Sequence, residues 1–287
     1  VQNSDPNRLR VAAISFLNPA PLLYNFEHEP AQSALKQRYD VHYTLPSQCA
    51  EQLRTGEADL GLIPIAALPY LPQVEAVPGC TIASLDRVRS IQLVVKPGIA
   101  LHEIRTLATD AASRSSAAYV RLILHHFYAA HPQVHDEAAD LGHMFQTSDA
   151  ALLIGDPALL ALEGHNTASQ YAGHTWYDIA ELWRQHTGLP WVAAVWAVRT
   201  EALTRTGITA DQLTADLQAS RDNGLAHIET LVAEWQPRLP LSAGTIRNYL
   251  TTNIHYRLNG QCLEAINRFY ELAASASILP PYRLKLL

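Results

Sequence analysis

Two stretches of the chain carry side chains whose type and spacing suit the handling of a small anionic molecule. In the first, the apolar run Val11-Ala-Ala-Ile14 stops at Ser15-Phe-Leu-Asn18-Pro19-Ala-Pro21. A β-prone run ending in polar residues and two prolines predicts a strand that delivers Ser15 and Asn18 to a sheet edge. In open α/β sheets ligands bind there, outside the carboxyl ends of the strands. The alternative is a plain turn, since Asn before Pro commonly opens one. In the second stretch, Ser113-Arg114-Ser115-Ser116 precedes a long apolar helical run, Ala117 to Ala130. The first amides of a helix lack intrahelical partners and lie at the positive end of its dipole, so hydroxyls gathered there can cradle a carboxylate or phosphate. Simple N-capping is the competing use, but three serines and an arginine in four positions exceed what one cap needs. A third candidate is the strand-end turn Gly155-Asp156-Pro157-Ala158, where Asp156 either caps a helix or faces a cleft.

Other chemistries find little support. The chain has 13 histidines, but no HExxH or comparable ligand spacing. His125, His126 and His131 cluster, yet adjacent helical residues point about 100° apart and chelate poorly together, so no metal site is expected. There is no GxGxxG, no GxxxxGK[ST] and no GxSxG, hence no signal for a dinucleotide, a nucleoside triphosphate or a serine-hydrolase elbow. The late Trp and Tyr residues are spaced like core packing rather than a base-stacking platform.

The elements that must position these residues follow from hydrophobic period and punctuation. After the first strand, Ala34 to Arg38 closes a short helix and Val41 to Leu45 forms a second strand. Ser47 is expected to cap the next helix, which stops at Gly56; the stretch from Gly56 to Pro64 reads as that stop followed by a buried strand ending in Pro64. Strand alternating with helix predicts a parallel sheet in an α/β fold. Thr81 to Ser84 and Ser90 to Val95 are β-prone runs joined by a charged turn, and Lys96-Pro97-Gly98 is where a domain crossing is expected. Ala150 to Ile154 reads as a buried strand, and Tyr177-Asp178 as the start of a helix ending at Gly188. Trp191 to Val198, apolar on both faces, is expected to lie deep and to return the chain to the first domain. The remainder reads as helices, among them Ser242 to Leu258 and Gln261 to Ser275, with a capping box at Thr209 to Gln212. No flexible linker separates the two domains, which favours a hinge over a tether.

Composition bounds the function. At 287 residues, two domains or one large one are expected. A net charge of −6 argues against nucleic acid and against an anionic membrane surface as partners. Cys49, Cys80 and Cys262 are odd in number and isolated, which predicts a reduced, cytoplasmic setting. No apolar run approaches the about 18 residues that span a bilayer, and the first residues lack an export-signal pattern. A chain that begins with Val leaves a removed segment open.

Several of these pieces, in order over much of the chain, resemble one family. They are Ser15-Phe-Leu-Asn18-Pro-Ala-Pro-Leu, Gly56-Glu-Ala-Asp-Leu-Gly61-Leu-Ile-Pro, Ser113-Arg-Ser-Ser116, Ile154-Gly-Asp156-Pro-Ala-Leu, and Trp183 through Thr187-Gly-Leu-Pro-Trp191-Val-Ala-Ala-Val-Trp196. Together they resemble the chorismate dehydratases of the futalosine route to menaquinone. The resemblance implies a two-lobed type II periplasmic-binding-protein-like fold, with residues 1–95 and 195–287 in one lobe and 96–194 inserted as the other. It also implies loss of water from chorismate to give 3-[(1-carboxyvinyl)oxy]benzoate without metal or organic cofactor. Asn18 matches the family's important Asn and is the expected catalytic residue. Ser113, Arg114, Ser115 and Ser116 would hold one substrate carboxylate, and Ser84 with neighbouring amides the other. Ser15, Gly155 and Asp156 complete the expected binding set.

Two other readings share the fold. A solute-binding protein for a small organic acid would use the same anion cradle. The pathway's later enzyme, which makes 1,4-dihydroxy-6-naphthoate, is expected to carry Ser-Pro-Cys-Pro-Asn-Asp where this chain has Ser15-Phe-Leu-Asn-Pro-Ala.

Overall fold

A computed structural model describes residues 5–111, 113–168 and 171–287, with only the backbone of Pro46 and Ser47. The chain opens with β1 (Leu9–Ile14), α1 (Ala20–Glu27), α2 (Ala31–Leu35), β2 (Tyr39–Thr44), α3 (Pro46–Thr55), β3 (Leu60–Pro64) and a 3-10 turn over Ile65–Tyr70. β1 pairs in parallel with β2 on one side and β3 on the other. Helices cover both faces of a parallel sheet, and β1 and β3 are accordingly apolar almost throughout. α3 begins one residue before Ser47, after Leu45 in the cap position, so Ser47 sits inside the first turn and its side chain lies outside the described residues. Gly56 ends α3 in the left-handed conformation, φ +78°, where a glycine costs no Cβ clash.

The long strand β4 (Val74–Ser84) is followed by β5 (Ile91–Val95), and these belong to different sheets. The crossing therefore falls in Leu85 to Ser90, ahead of the Lys96-Pro97-Gly98 where the sequence places it. β5 is buried at all five residues and pairs antiparallel with two strands of the second sheet, so Lys96 merely follows its end. Arg89 takes φ +63° in the crossing, and its amide and that of Val88 both donate to the buried carboxylate of Asp178.

The second sheet has the order β7-β6-β8-β5-β9. Its remaining elements are β6 (Thr106–Asp110), α4 (Ser115–Tyr128), β7 (Gln133–Glu137), α5 (Leu141–Thr147), β8 (Ala150–Ile154), α6 (Gly155–Ala168), β9 (Thr175–Asp178) and α7 (Ile179–Thr187). Asp178 caps α7, accepting from the amides of Ala180 and Glu181. Gly188 then ends α7 at φ +72°.

β10 (Trp191–Arg199) returns the chain to the first sheet and pairs antiparallel with both β3 and β4, so it lies deep, as its two apolar faces require. The C-terminal part adds α8 (Thr200–Thr206), α9 (Ala210–Ala226), α10 (Ile228–Trp235), α11 (Ala243–Asn248), β11 (His255–Leu258) and α12 (Gly260–Ser275). The helix expected over Ser242 to Leu258 is corrected. After α11 the chain makes one π-helical turn, Tyr249–Asn253, and then β11 pairs with the edge of β4. Closing that sheet edge satisfies backbone groups that a longer helix would leave exposed on β4. The first sheet thus has the order β11-β4-β10-β3-β1-β2. Among the described residues, no helix is long and apolar enough to cross a membrane.

Candidate active site

Asn18 and the start of α4 meet at one cleft between the two sheets. From the first lobe the cleft takes Phe16, Asn18, Pro64 and Trp191; from the second, Ser113 to Ser116 and Gly155; from the crossing between the sheets, Ser90. Asn18 is half-buried, and its Oδ1 is a buried acceptor with no hydrogen-bond partner among the described residues. An orphaned buried amide oxygen carries a desolvation cost of about 1–3 kcal/mol that a ligand hydroxyl would relieve. The cleft encloses about 60 Å³. This is well under the roughly 150 Å³ cavity that accepts a benzene ring.

The four residues at the helix start all line the cleft, but their hydroxyls do different things. Ser113 Oγ accepts from the Ala117 amide at 3.1 Å, which is the capping use. Ser115 Oγ donates to the Ala193 carbonyl at 2.9 Å and accepts from the Ala66 amide at 3.2 Å, so it ties α4 to the other lobe. Ser116 is buried against the cleft and makes no side-chain hydrogen bond among the described residues, which leaves its hydroxyl to a ligand. Arg114 is exposed at the rim, near enough to Glu51 on α3 to hold that carboxyl below its ordinary value, behind the larger effect of Arg54.

Three expected residues lie elsewhere. Ser15 is exposed on a separate groove of about 660 Å³ running beside β2, α1 and α10. Ser84 is buried at the end of β4, where its hydroxyl accepts from the Asp86 amide at 3.4 Å. Asp156 stands behind the cleft wall, accepting the Leu17 amide at 3.1 Å. Its neighbour Gly155 does line the cleft, at φ +62°, and a Cβ there would come within 2.9 Å of the Phe16 ring. Only glycine permits both that backbone conformation and that contact.

Sequence reasoning passes over two cleft residues, Ser90 and Trp191. Ser90 Oγ accepts from the hydroxyl of Tyr249 at 2.8 Å, so its own proton is free to be aimed at a ligand. Its position at the head of an apolar strand offers a weak signal, but Tyr249 lies 159 residues away and offers none. Trp191 reads as core and is buried, yet its indole N–H has no partner among the described residues.

Burial pushes the Asp156 carboxyl up to about 6, against the opposing effect of the Leu17 amide. The folded protein then keeps this proton to a higher pH than the unfolded chain does. Stability is expected to fall as pH rises from about 4 to about 6, by about 3 kcal/mol for this group at full ionisation. Asp156→Asn cannot ionise, so urea unfolding of the two proteins at pH 4, 5, 6 and 7 is expected to show the variant gaining steadily on the wild type. Parallel curves would contradict the assignment.

Residues 9–275, from β1 to the last turn of α12, match the family model described as menaquinone biosynthesis. The chain belongs to the menaquinone biosynthesis family. The match spans both sheets and the whole stretch of chain that lines the cleft. A curated chorismate dehydratase from Thermus thermophilus is 27% identical over 232 residues, covering 77% of this chain and 81% of that protein. Among solved structures, a protein from Archaeoglobus fulgidus superposes with a TM-score of 0.71 at 15% identity, covering 97% of this chain and 100% of its own. A Candida albicans protein described as having the generic periplasmic binding protein fold gives a TM-score of 0.66 at 11% identity, covering 96% and 92%. This menaquinone-biosynthesis chain therefore has the two-lobed periplasmic-binding-protein-like fold.

Proposed function

We propose that this chain is a chorismate dehydratase, a hydro-lyase that converts chorismate to 3-[(1-carboxyvinyl)oxy]benzoate and water. The observation that carries the reading is the cleft lined both by Asn18 of one lobe, whose Oδ1 is buried without a partner among the described residues, and by the serine-rich start of α4 on the other. In this reading the lobes follow the two sheets, β1 to β4 with β10 and β11 in one and β5 to β9 in the other. The amides at the head of α4 with Ser116 and Arg114 would receive one carboxylate of the substrate. Ser90 and the Trp191 indole would supply two more donors to the cleft.

The reaction breaks the C–O bond of the ring hydroxyl and removes the proton of the neighbouring ring carbon, leaving an aromatic ring and water. Aromatisation supplies the driving force, so the protein has mainly to orient the groups. Among the described residues lining the cleft, Arg114 is the one ionisable side chain, and it is no base. The proton acceptor in this reading is accordingly a carboxylate of chorismate itself, with Asn18 holding the ring hydroxyl and the pose. Incubation with chorismate is expected to abolish its diene absorbance and yield the aromatic enol ether. Tight binding without turnover would instead mark a solute-binding protein.

A further inference from the structure

We infer that Asp156 is a positioning residue, a latch from the second lobe that grips the loop bearing Asn18 only when the cleft is shut. This rests on the dehydratase reading for its catalytic consequence, though not for its geometry. The loop Ser15 to Pro19 leaves β1 and makes its contacts across the cleft with the head of α6. The Leu17 amide donates to Asp156 Oδ1 at 3.1 Å, and Leu17 itself is wholly buried. The Phe16 ring occupies the space over Gly155 that any Cβ would fill. The Gly155 amide donates to the Ser90 carbonyl at 2.8 Å, so the head of α6 is itself anchored to the crossing strand. Residues 16 and 17 are thus fixed from the second lobe, and Asn18 follows directly in the chain.

The latch has a counterpart at the opposite wall. Ser115, at the head of α4, reaches the Ala66 amide and the Ala193 carbonyl of the first lobe. Two helix heads of one lobe therefore fasten to the other on either side of the cavity. A cleft of about 60 Å³ cannot admit the substrate without opening, so both fastenings break and re-form in each cycle. Asn18 reaches its working position through the Leu17 bond, which makes closure and the placing of Asn18 one event. Asp156 touches no cavity space of its own, and its oxygen acts through the backbone one residue before Asn18.

The test compares Asp156→Ala, which deletes the acceptor, with Asp156→Asn, which keeps an acceptor oxygen of the same shape and is the variant that preserves packing. Amide hydrogen exchange at Leu17, measured without substrate, is expected to quicken by about tenfold or more in Asp156→Ala and to stay near wild type in Asp156→Asn. With chorismate, Asp156→Ala is expected to lose about 10- to 100-fold in kcat with KM changed by less than about threefold, since the carboxylate cradle on α4 is untouched. Asp156→Asn is expected to recover most of that loss. Unchanged exchange at Leu17 in Asp156→Ala overturns the latch. So does a kcat loss equal in both variants, which would place the charge itself on the substrate, or a loss confined to KM. A wild-type protein inert towards chorismate would defeat the dehydratase reading while leaving the exchange result to judge the latch.

Discussion

Asn18→Ala is expected to lower kcat for chorismate by about 100- to 1,000-fold while weakening substrate binding by about tenfold or less. The asymmetry follows from the division of labour across the cleft. In the proposed reading the amides at the head of α4 with Ser116 and Arg114 hold the carboxylate, and the substitution leaves them alone. Asn18 contributes one carbonyl oxygen and one amide nitrogen, and that oxygen is buried without a partner among the described residues. A group of this kind gains its partner when the reacting ring is in place. Deleting it frees the ring hydroxyl to rotate away from the departing geometry and leaves a small hole that water can enter. Pre-steady-state turnover combined with titration of the aromatic product separates the two quantities. Near-normal kcat in Asn18→Ala sinks the assignment of Asn18 as the reacting-centre residue.

Local signals wrote most of this architecture. The end of β1 at Ser15 and the start of α4 at Ser115 each depend on a few neighbouring residues, and the expected boundaries fall within two residues of the observed ones. Trp191 to Val198 was legible as a deep strand because both faces are apolar. Non-local pairing accounts for the misses. Ile91 to Val95 has the same composition in either sheet, and only its antiparallel partners β8 and β9 decide that the crossing precedes it. His255 to Leu258 follows a helix and becomes a strand because the edge of β4 needs a neighbour there. The cleft itself is non-local, so residue types at loop ends nominate candidates while contacts distant in sequence sort them. Ser90 joins the wall through Tyr249, Asp156 turns to Leu17, and Ser15 stays on an outside groove.

Asn18 is also supported from behind, and this support predicts a large effect far from the cleft. Gly224 lies inside α9, where it crosses α1 so closely that a Cβ would sit 2.3 Å from the Pro21 carbonyl oxygen and 2.5 Å from its Cα. Side chains fasten the same crossing: Ser220 Oγ accepts from the Asn25 amide at 3.0 Å and Asn223 donates to Asn25 at 2.9 Å. In an exposed helix interior, Gly→Ala would stabilise by about 1 kcal/mol. Here the obstacle is backbone on both sides, with no flexible side chain to yield, so the helices must separate. Overpacking of this sort costs 1–3 kcal/mol and occasionally more, which outweighs the helical gain. Gly224→Ala is therefore expected to be net destabilising by about 1–2 kcal/mol, a fall in Tm of about 2–8 °C for a chain of this size. Displacement of α1 also moves Pro21, three residues from Asn18, and a shift of about 1 Å at a reacting group can cost about 100-fold in rate. Gly224→Ala is thus expected to lose kcat even at temperatures where it remains folded, while ligands held by α4 bind nearly as before. A raised Tm, the outcome helix propensity alone would give, shows that the crossing is looser than its backbone contacts imply.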